Sequence, residues 1–220
     1  MAIAFDDAGS ATTASDTALS ITDLTISGSN RYLAVGVSFD DTVDHSVTGT
    51  WNGNPLTVRL NNTAKRGLVV LDLVAPDTGT QTLALSWSTA GRATAIAVSY
   101  TGVDQTTATD GWSATTGTSA TASRDTASAA GDLVVDFVVF NGGTALSVGA
   151  DQTSRAESDN GGQLQSGCSE EAGAGTVTSS WGSGFEDWAI ATANLNAAAG
   201  GGGSPTVASA RFRNLRVRAS

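Results

Sequence analysis

His45 is the only histidine in the chain, and Asp44 stands beside it. An imidazole next to a carboxylate could begin a general-base or metal-ligand arrangement. Adjacent residues of a strand point to opposite faces, however. One histidine without a cysteine or histidine cluster also falls short of the usual zinc set. Cys168 is the single cysteine, so it has no partner for an internal disulfide. Its neighbours Glu170 and Glu171 oppose the thiolate that a nucleophile needs. Acid pairs stand at Asp6-Asp7, Asp40-Asp41, Glu170-Glu171 and Glu186-Asp187. A glycosidase holds two carboxyls about 5–9 Å apart across a cleft, and sequence spacing does not define that geometry. Solvated loop acids are the plainer reading. Asp40, Asp41 and Asp44 could crowd round a calcium ion, but the EF-hand spacing is missing. No catalytic residue, cofactor site or metal site is assigned, and the chain is not read as an enzyme.

Three features are better placed for binding. Five tryptophans could form sugar platforms. Trp87 and Trp181 end apolar strands and belong in a core, whereas Trp112 stands in a polar Thr/Ser stretch. Trp112 is therefore the candidate ligand-binding aromatic, expected at the surface. Gly200–Gly203 is not a phosphate loop, because Ser-Pro follows it in place of Lys-Ser/Thr and a helix. It reads as part of a flexible linker, 197–204. Beyond it, 205–220 carries Arg211, Arg213, Arg216 and Arg218 interleaved with Phe212, Leu215 and Val217. That pattern suits an extended strand added to another chain's sheet edge, with the arginines meeting acidic surface.

The elements that must position these groups are strands. The chain has 220 residues, of which a quarter are Ser or Thr and 26 are Gly. Hydrophobic residues make up 40% and charged residues 15%, so the chain can bury a core and is not an acidic disordered tail. The period is two almost throughout. Arg31–Phe39 and Asp132–Phe140 read as buried strands, Gly67–Val74 and Ala93–Val103 as further strands, and Asn52-Gly53 as a hairpin turn. Gln105–Ser128 reads as a long crossover or exposed loop with one weak strand near its end. Thr82–Trp87 is echoed by Thr176–Trp181, and Ala95–Ala97 by Ala189–Ala191 at the same offset. Either any two strand pairs look alike, or two similar half-sheets face each other. The expected fold is all-β: a two-sheet antiparallel β-sandwich, jelly-roll-like, over 1–196, followed by the linker and an extended C-terminal arm.

Net charge is −10. Without the four arm arginines, Met1–Ala210 holds seven basic against 21 acidic residues, a body charge of −14. Such a body repels nucleic acid and anionic membrane, so neither is an expected partner. Met1–Phe5 runs straight into Asp6-Asp7 with no basic or sustained apolar stretch, so no signal peptide is expected and synthesis is placed in the cytoplasm.

Several segments together carry a likeness. They are Ser29-Asn30-Arg31-x-Leu33-x-Val35-Gly36-Val37, Trp51-Asn52-Gly53, Leu73-Val74-Ala75-Pro76, Ser99–Gln105 and Gly131–Asp136, with the opening Met1–Asp6. They resemble a β-sandwich module of tailed-phage virion structural proteins, also seen in bacterial surface and secreted proteins. The resemblance covers Met1–Leu195 and implies no catalytic residues. It implies a virion structural protein, foremost a capsid decoration or cement protein. The arm residues Arg211, Phe212, Arg213, Leu215, Arg216, Val217 and Arg218 would bind the major capsid protein or sister subunits. A homo-oligomer, for instance a trimer at a capsid three-fold position, would suit such a piece. The alternative is a tail-fibre or surface module that binds a carbohydrate or receptor through Trp112.

Overall fold

The computed structural model describes residues 1–199. The linker from 200 onward and the whole arm, with Arg211–Arg218, lie outside the described residues. Alternating Thr, Ser and β-branched residues favour strand over helix at nearly every step, and thirteen strands follow. They are β1 (Ala4–Ile26), β2 (Tyr32–Phe39), β3 (Thr48–Trp51), β4 (Asn54–Pro55), β5 (Thr57–Asn62), β6 (Gly67–Val74) and β7 (Gly79–Thr101) in the first half. The second half holds β8 (Ser113–Ala127), β9 (Leu133–Phe140), β10 (Ser147–Val148), β11 (Thr153–Asp159), β12 (Gln165–Ala172) and β13 (Thr176–Leu195).

These form two antiparallel sheets. The first has the order β4-β3-β7-β2-β6-β5, with β1 also on β7; the second has β10-β13-β9-β12-β11, with β8 also on β13. The sandwich expectation holds. Each sheet takes its strands from one half of the chain, so the halves do not interleave as two Greek keys do and the connectivity is not that of a jelly roll.

The halves share a plan. β7 pairs with β1 along its length, with β2 over its second half and with β3 over its first. β13 does the same with β8, β9 and β10. The internal echo therefore reflects two half-sheets of like topology.

Their packing explains the unbroken apolar runs. In β2, Tyr32 and Ala34 enter the core between the sheets, together with Ile96, Val98 and Tyr100 of β7 and Val135, Phe137 and Val139 of β9. Leu33, Val35, Val37 and Phe39 point the other way, where Ile21, Leu24, Trp51, Leu83, Leu85 and Trp87 cover them. The first sheet thus curls over its own outer face. Register shifts at Thr13/Asp16 and Asp16/Ala18 break the β1–β7 ladder between its two arms. The second sheet repeats the device with Val138, Phe140 and Ile190 beneath Ala122, Trp181 and Trp188. Central strands buried on both faces carry continuous apolar runs for this reason.

Two glycine features were sterically required. Asn52 and Gly53 both take positive φ, 48° and 79°, as a type I′ turn demands. A Cβ on Gly36 would lie 2.5 Å from the Phe137 ring, so glycine there admits Phe137 from the facing sheet.

One expectation fails. Gln105–Ser128 is not a long loop, because β8, a strand of 15 residues, occupies Ser113–Ala127 and pairs with β13 on both sides of one register shift. Its side chains are mostly exposed or half-buried, with Ala122 alone buried. An edge strand of this kind has no apolar face, so it leaves no period-two hydrophobic signal.

Candidate functional site

His45 is wholly structural in placement. It is buried, stacks on Phe39 with ring centroids 3.8 Å apart, and has Nδ1 2.9 Å from the Thr89 carbonyl oxygen. Its Nε2 meets Asp41 Oδ1 at 2.9 Å, so its carboxylate partner lies four residues back and is not the adjacent Asp44. The Asp40–Asp44 acids are each turned to a different partner. Asp40 pairs with Arg92 at 3.4 Å, while Asp41 also accepts from the Val43 amide. Asp44 accepts from the Ser46 amide and from Asn61, which hold its carboxyl below the usual range. Among the described residues no group of three or more His, Cys, Asp or Glu is placed to hold a metal ion.

Cys168 lies in the core between the sheets, and burial pushes its thiol up. It stays protonated there, which removes the thiolate that chemistry would need.

Trp112 is corrected by the structure. The residue expected at the surface is only 8% exposed and packs against Phe137, with centroids 5.5 Å apart. Its indole N–H donates to the Tyr32 hydroxyl at 3.2 Å, and that hydroxyl donates to Asp72 Oδ2 at 2.8 Å. Arg59 donates to the other Asp72 oxygen at 2.7 Å. The chain Arg59–Asp72–Tyr32–Trp112 neutralises a buried carboxylate and seats the indole. A sugar platform needs an open ring face, and this ring has none. The physical reason is the segment before it: bridges Val103–Ala197 and Thr109–Leu195 tie Gly102–Asp110 across the end of the sandwich and draw Trp112 inward.

Three acids are buried: Asp72 and Glu170 pair with Arg59 and Arg155, whereas Asp136 has no cationic partner among the described residues. It accepts from Trp181 Nε1 at 2.7 Å, Ser169 Oγ at 2.5 Å and Gln152 Nε2 at 3.0 Å. Desolvation outweighs these bonds and raises its pKa to about 6.

A solvent-facing arrangement with unspent polar capacity lies elsewhere, at residues that sequence spacing does not single out. A cleft of about 310 Å³ lies at the end of β11 and β12, lined by Ala145, Leu146, Glu157, Ser158, Asp159 and Gln165. The register pairs Asp159 with Gln165 and Glu157 with Gly167, which sets Glu157, Asp159 and Gln165 on one face. Gln165 is only 7% exposed, and its Oε1 has no hydrogen-bond partner among the described residues. The alternation Glu157-x-Asp159 in a weak strand was visible in the sequence; the loop that walls it was not.

Phe185 is the most exposed large apolar residue described, at 73%. It stands at the corner of β13, next to Gly184, which packs on Gly143.

No family model, no curated protein and no solved structure matches this chain.

Proposed function

We propose that the chain is a structural protein of a phage virion, most concretely a capsid decoration or cement protein anchored through its arm, 205–220. One observation carries the reading. The Met1 ammonium group donates to the Ala198 carbonyl at 2.6 Å, and the Ala198 amide donates to the Gly102 carbonyl at 2.8 Å. The chain therefore passes into its glycine linker from one end of the sandwich, the end of the Gly102–Asp110 segment. The Asn141 and Asn160 turns stand at the other end. A body rooted at one end and presenting its turns at the other has the geometry of a shell ornament. The buried His, Cys, Tyr and Asp side chains described above support the same reading, because packing and internal bonds account for them. The resemblance at Ser29–Val37 and Gly131–Asp136 adds to it. Major capsid protein or sister subunits are the partners, in a homo-oligomer such as a trimer.

Deleting 205–220 and measuring incorporation into particles tests this. Loss of the protein from purified particles is expected, and full retention would overturn it. Mass spectrometry of intact particles should give a copy number in the hundreds; a handful would place the protein in the tail.

A second reading is favoured by Phe185. A glycan- or receptor-binding module would use this exposed aromatic in place of Trp112. Glycan-array binding that disappears in Phe185→Ser, with unchanged unfolding, would favour it.

A further inference from the structure

We infer that the Glu157–Asp159–Gln165 cleft receives arginine from the C-terminal arm of a second copy of this chain. The inference rests on the reading of that arm as the anchoring element and names where it docks.

The cleft offers acceptors and no cation. Glu157 Oε1 accepts from Ser154 at 3.0 Å and Asp159 Oδ1 accepts from the Gly162 amide at 2.6 Å. The second oxygen of each carboxylate takes no hydrogen bond from the described residues. The Gln165 amide oxygen is buried and unpartnered beside them. A buried acceptor without a donor is costly, so the site calls for a group with several N–H bonds and a positive charge. Guanidinium fits best: it is planar, always charged and carries five N–H donors in a fixed fork.

The chain's own arginines narrow the source. Arg31 donates to the Pro76 and Gly28 carbonyls, Arg59 to Asp72 and Arg92 to Asn160. Arg66 bonds the Asp40 carbonyl, Arg124 bonds Thr115 and Arg155 bonds Glu170. The remaining four are Arg211, Arg213, Arg216 and Arg218. They belong to the arm, which is opposite in sign to a body of seven basic and 21 acidic residues.

The cleft also borders the last strand of its sheet, β11, whose Arg155 lies over the Phe5 ring of β1. β11 ends its sheet, pairing with β12 alone. An extended peptide laid along β11 would take up its free main-chain groups while its side chains reach the cleft, and Phe212 or Leu215 could meet Leu146. The anchoring reading sends the arm out of its own body, so a second copy supplies this peptide, although the residues between Ala198 and Arg211 are long enough to span their own sandwich. β9 pairs Leu133 with Leu195 at the linker end and Phe140 with Gln165 at the cleft end. Eight strand residues separate the two ends, about 25 Å at the strand rise. Passing each arm to the next copy instead makes a heterologous contact, which closes into a ring when the rotation allows.

The test uses full-length chains and sedimentation equilibrium. The unaltered protein should self-associate. Glu157→Arg with Asp159→Arg should weaken association at least tenfold, and so should Arg→Glu at 211, 213, 216 and 218. Mixing the two variants should restore association, since each arm then meets a cleft of opposite charge. Glu157 and Asp159 are exposed, so the fold should survive, and circular dichroism checks it. Gln165→Leu should weaken association without altering net charge. A chain that is monomeric at every concentration, or a cleft variant that associates as before, overturns the inference. If arm deletion abolishes particle incorporation while the cleft variants associate and incorporate normally, the arm grips another virion protein. The proposed function then stands and this docking site does not.

Discussion

Trp181 Nε1 and Asp136 Oδ1 are 2.7 Å apart inside the curled core of the second sheet, so a buried carboxyl with no cation is held by an indole. Its pKa of about 6 lies above the ordinary 3.8, with desolvation as the largest cause. The sign follows from linkage. The native state holds this proton more tightly than the unfolded chain, so the contribution is full below about pH 4 and is lost as pH rises through about 6. The loss amounts to at most about 3 kcal/mol. Asp44, Asp104 and Asp187 are shifted downward and act with the opposite slope at lower pH. Comparing wild type with Asp136→Asn isolates the one group. Urea unfolding between pH 4 and pH 7 should show wild type losing stability relative to the variant; parallel curves would refute the assignment.

Tyr32 joins a buried carboxylate of its own sheet to the indole just ahead of β8, so its hydroxyl should matter more than its ring size. Tyr32→Phe removes the donor to Asp72 and the acceptor for Trp112, leaving both buried. Denaturant titration should show a cost of about 1–3 kcal/mol. Trp112→Ala should cost about 3–5 kcal/mol, as aromatic truncation in a core does. Any ligand-binding defect in that variant would therefore report unfolding unless the fold is shown intact.

Gly36 and Phe137 interlock across the sandwich. Gly36→Ala would place a methyl 2.5 Å from the Phe137 ring. Overpacking of this kind costs about 1–3 kcal/mol. Phe137→Leu opens space at the same point, so the double variant should lose less than the sum of the singles. Strict additivity in thermal unfolding would mean the two residues do not touch.

The sequence made the strands of β2, β6, β7 and β9 plain because each is buried on both faces. It also showed the repeat, but only up to the corner. Trp87 shares its core with Ala93 and Ala95, six and eight residues on, so β7 keeps its pleat through the bend. Trp181 shares its core with Trp188 and Ile190, so β13 flips parity, and its ladder with β8 slips between Gly182 and Glu186. Ile96 therefore faces the inter-sheet core while Ile190 faces outward into the curl. The apparent match of Ala95–Ala97 with Ala189–Ala191 joins opposite faces, as a one-residue slip must. No residue type announces such a slip. The cleft was hidden for a related reason: Glu157, Asp159 and Gln165 meet only once the β11–β12 register is fixed, and Leu146 comes from a separate loop. Trp112 misled because the polar residues around it are an edge strand and a sandwich end, which share composition with a loop.

Asn160 bolts the second sheet to the first. From the β11–β12 turn its side-chain amide donates to the carbonyls of Thr13 at 2.6 Å and Ala93 at 3.1 Å, while its own Oδ1 accepts from Arg92 at 3.1 Å. Asn160→Ala should strand two buried carbonyls and cost about 1–3 kcal/mol. Asn160→Asp should be worse at neutral pH, because a carboxylate would face two carbonyl oxygens with Arg92 relieving only one side. Protonation restores one donor, so the introduced acid's pKa should rise on folding. The penalty of the Asp variant should then shrink toward that of Ala as pH falls to about 4, near the carboxylate's ordinary pKa. Equal penalties for both variants at pH 7 in guanidinium unfolding would show that the two carbonyls do not depend on this donor.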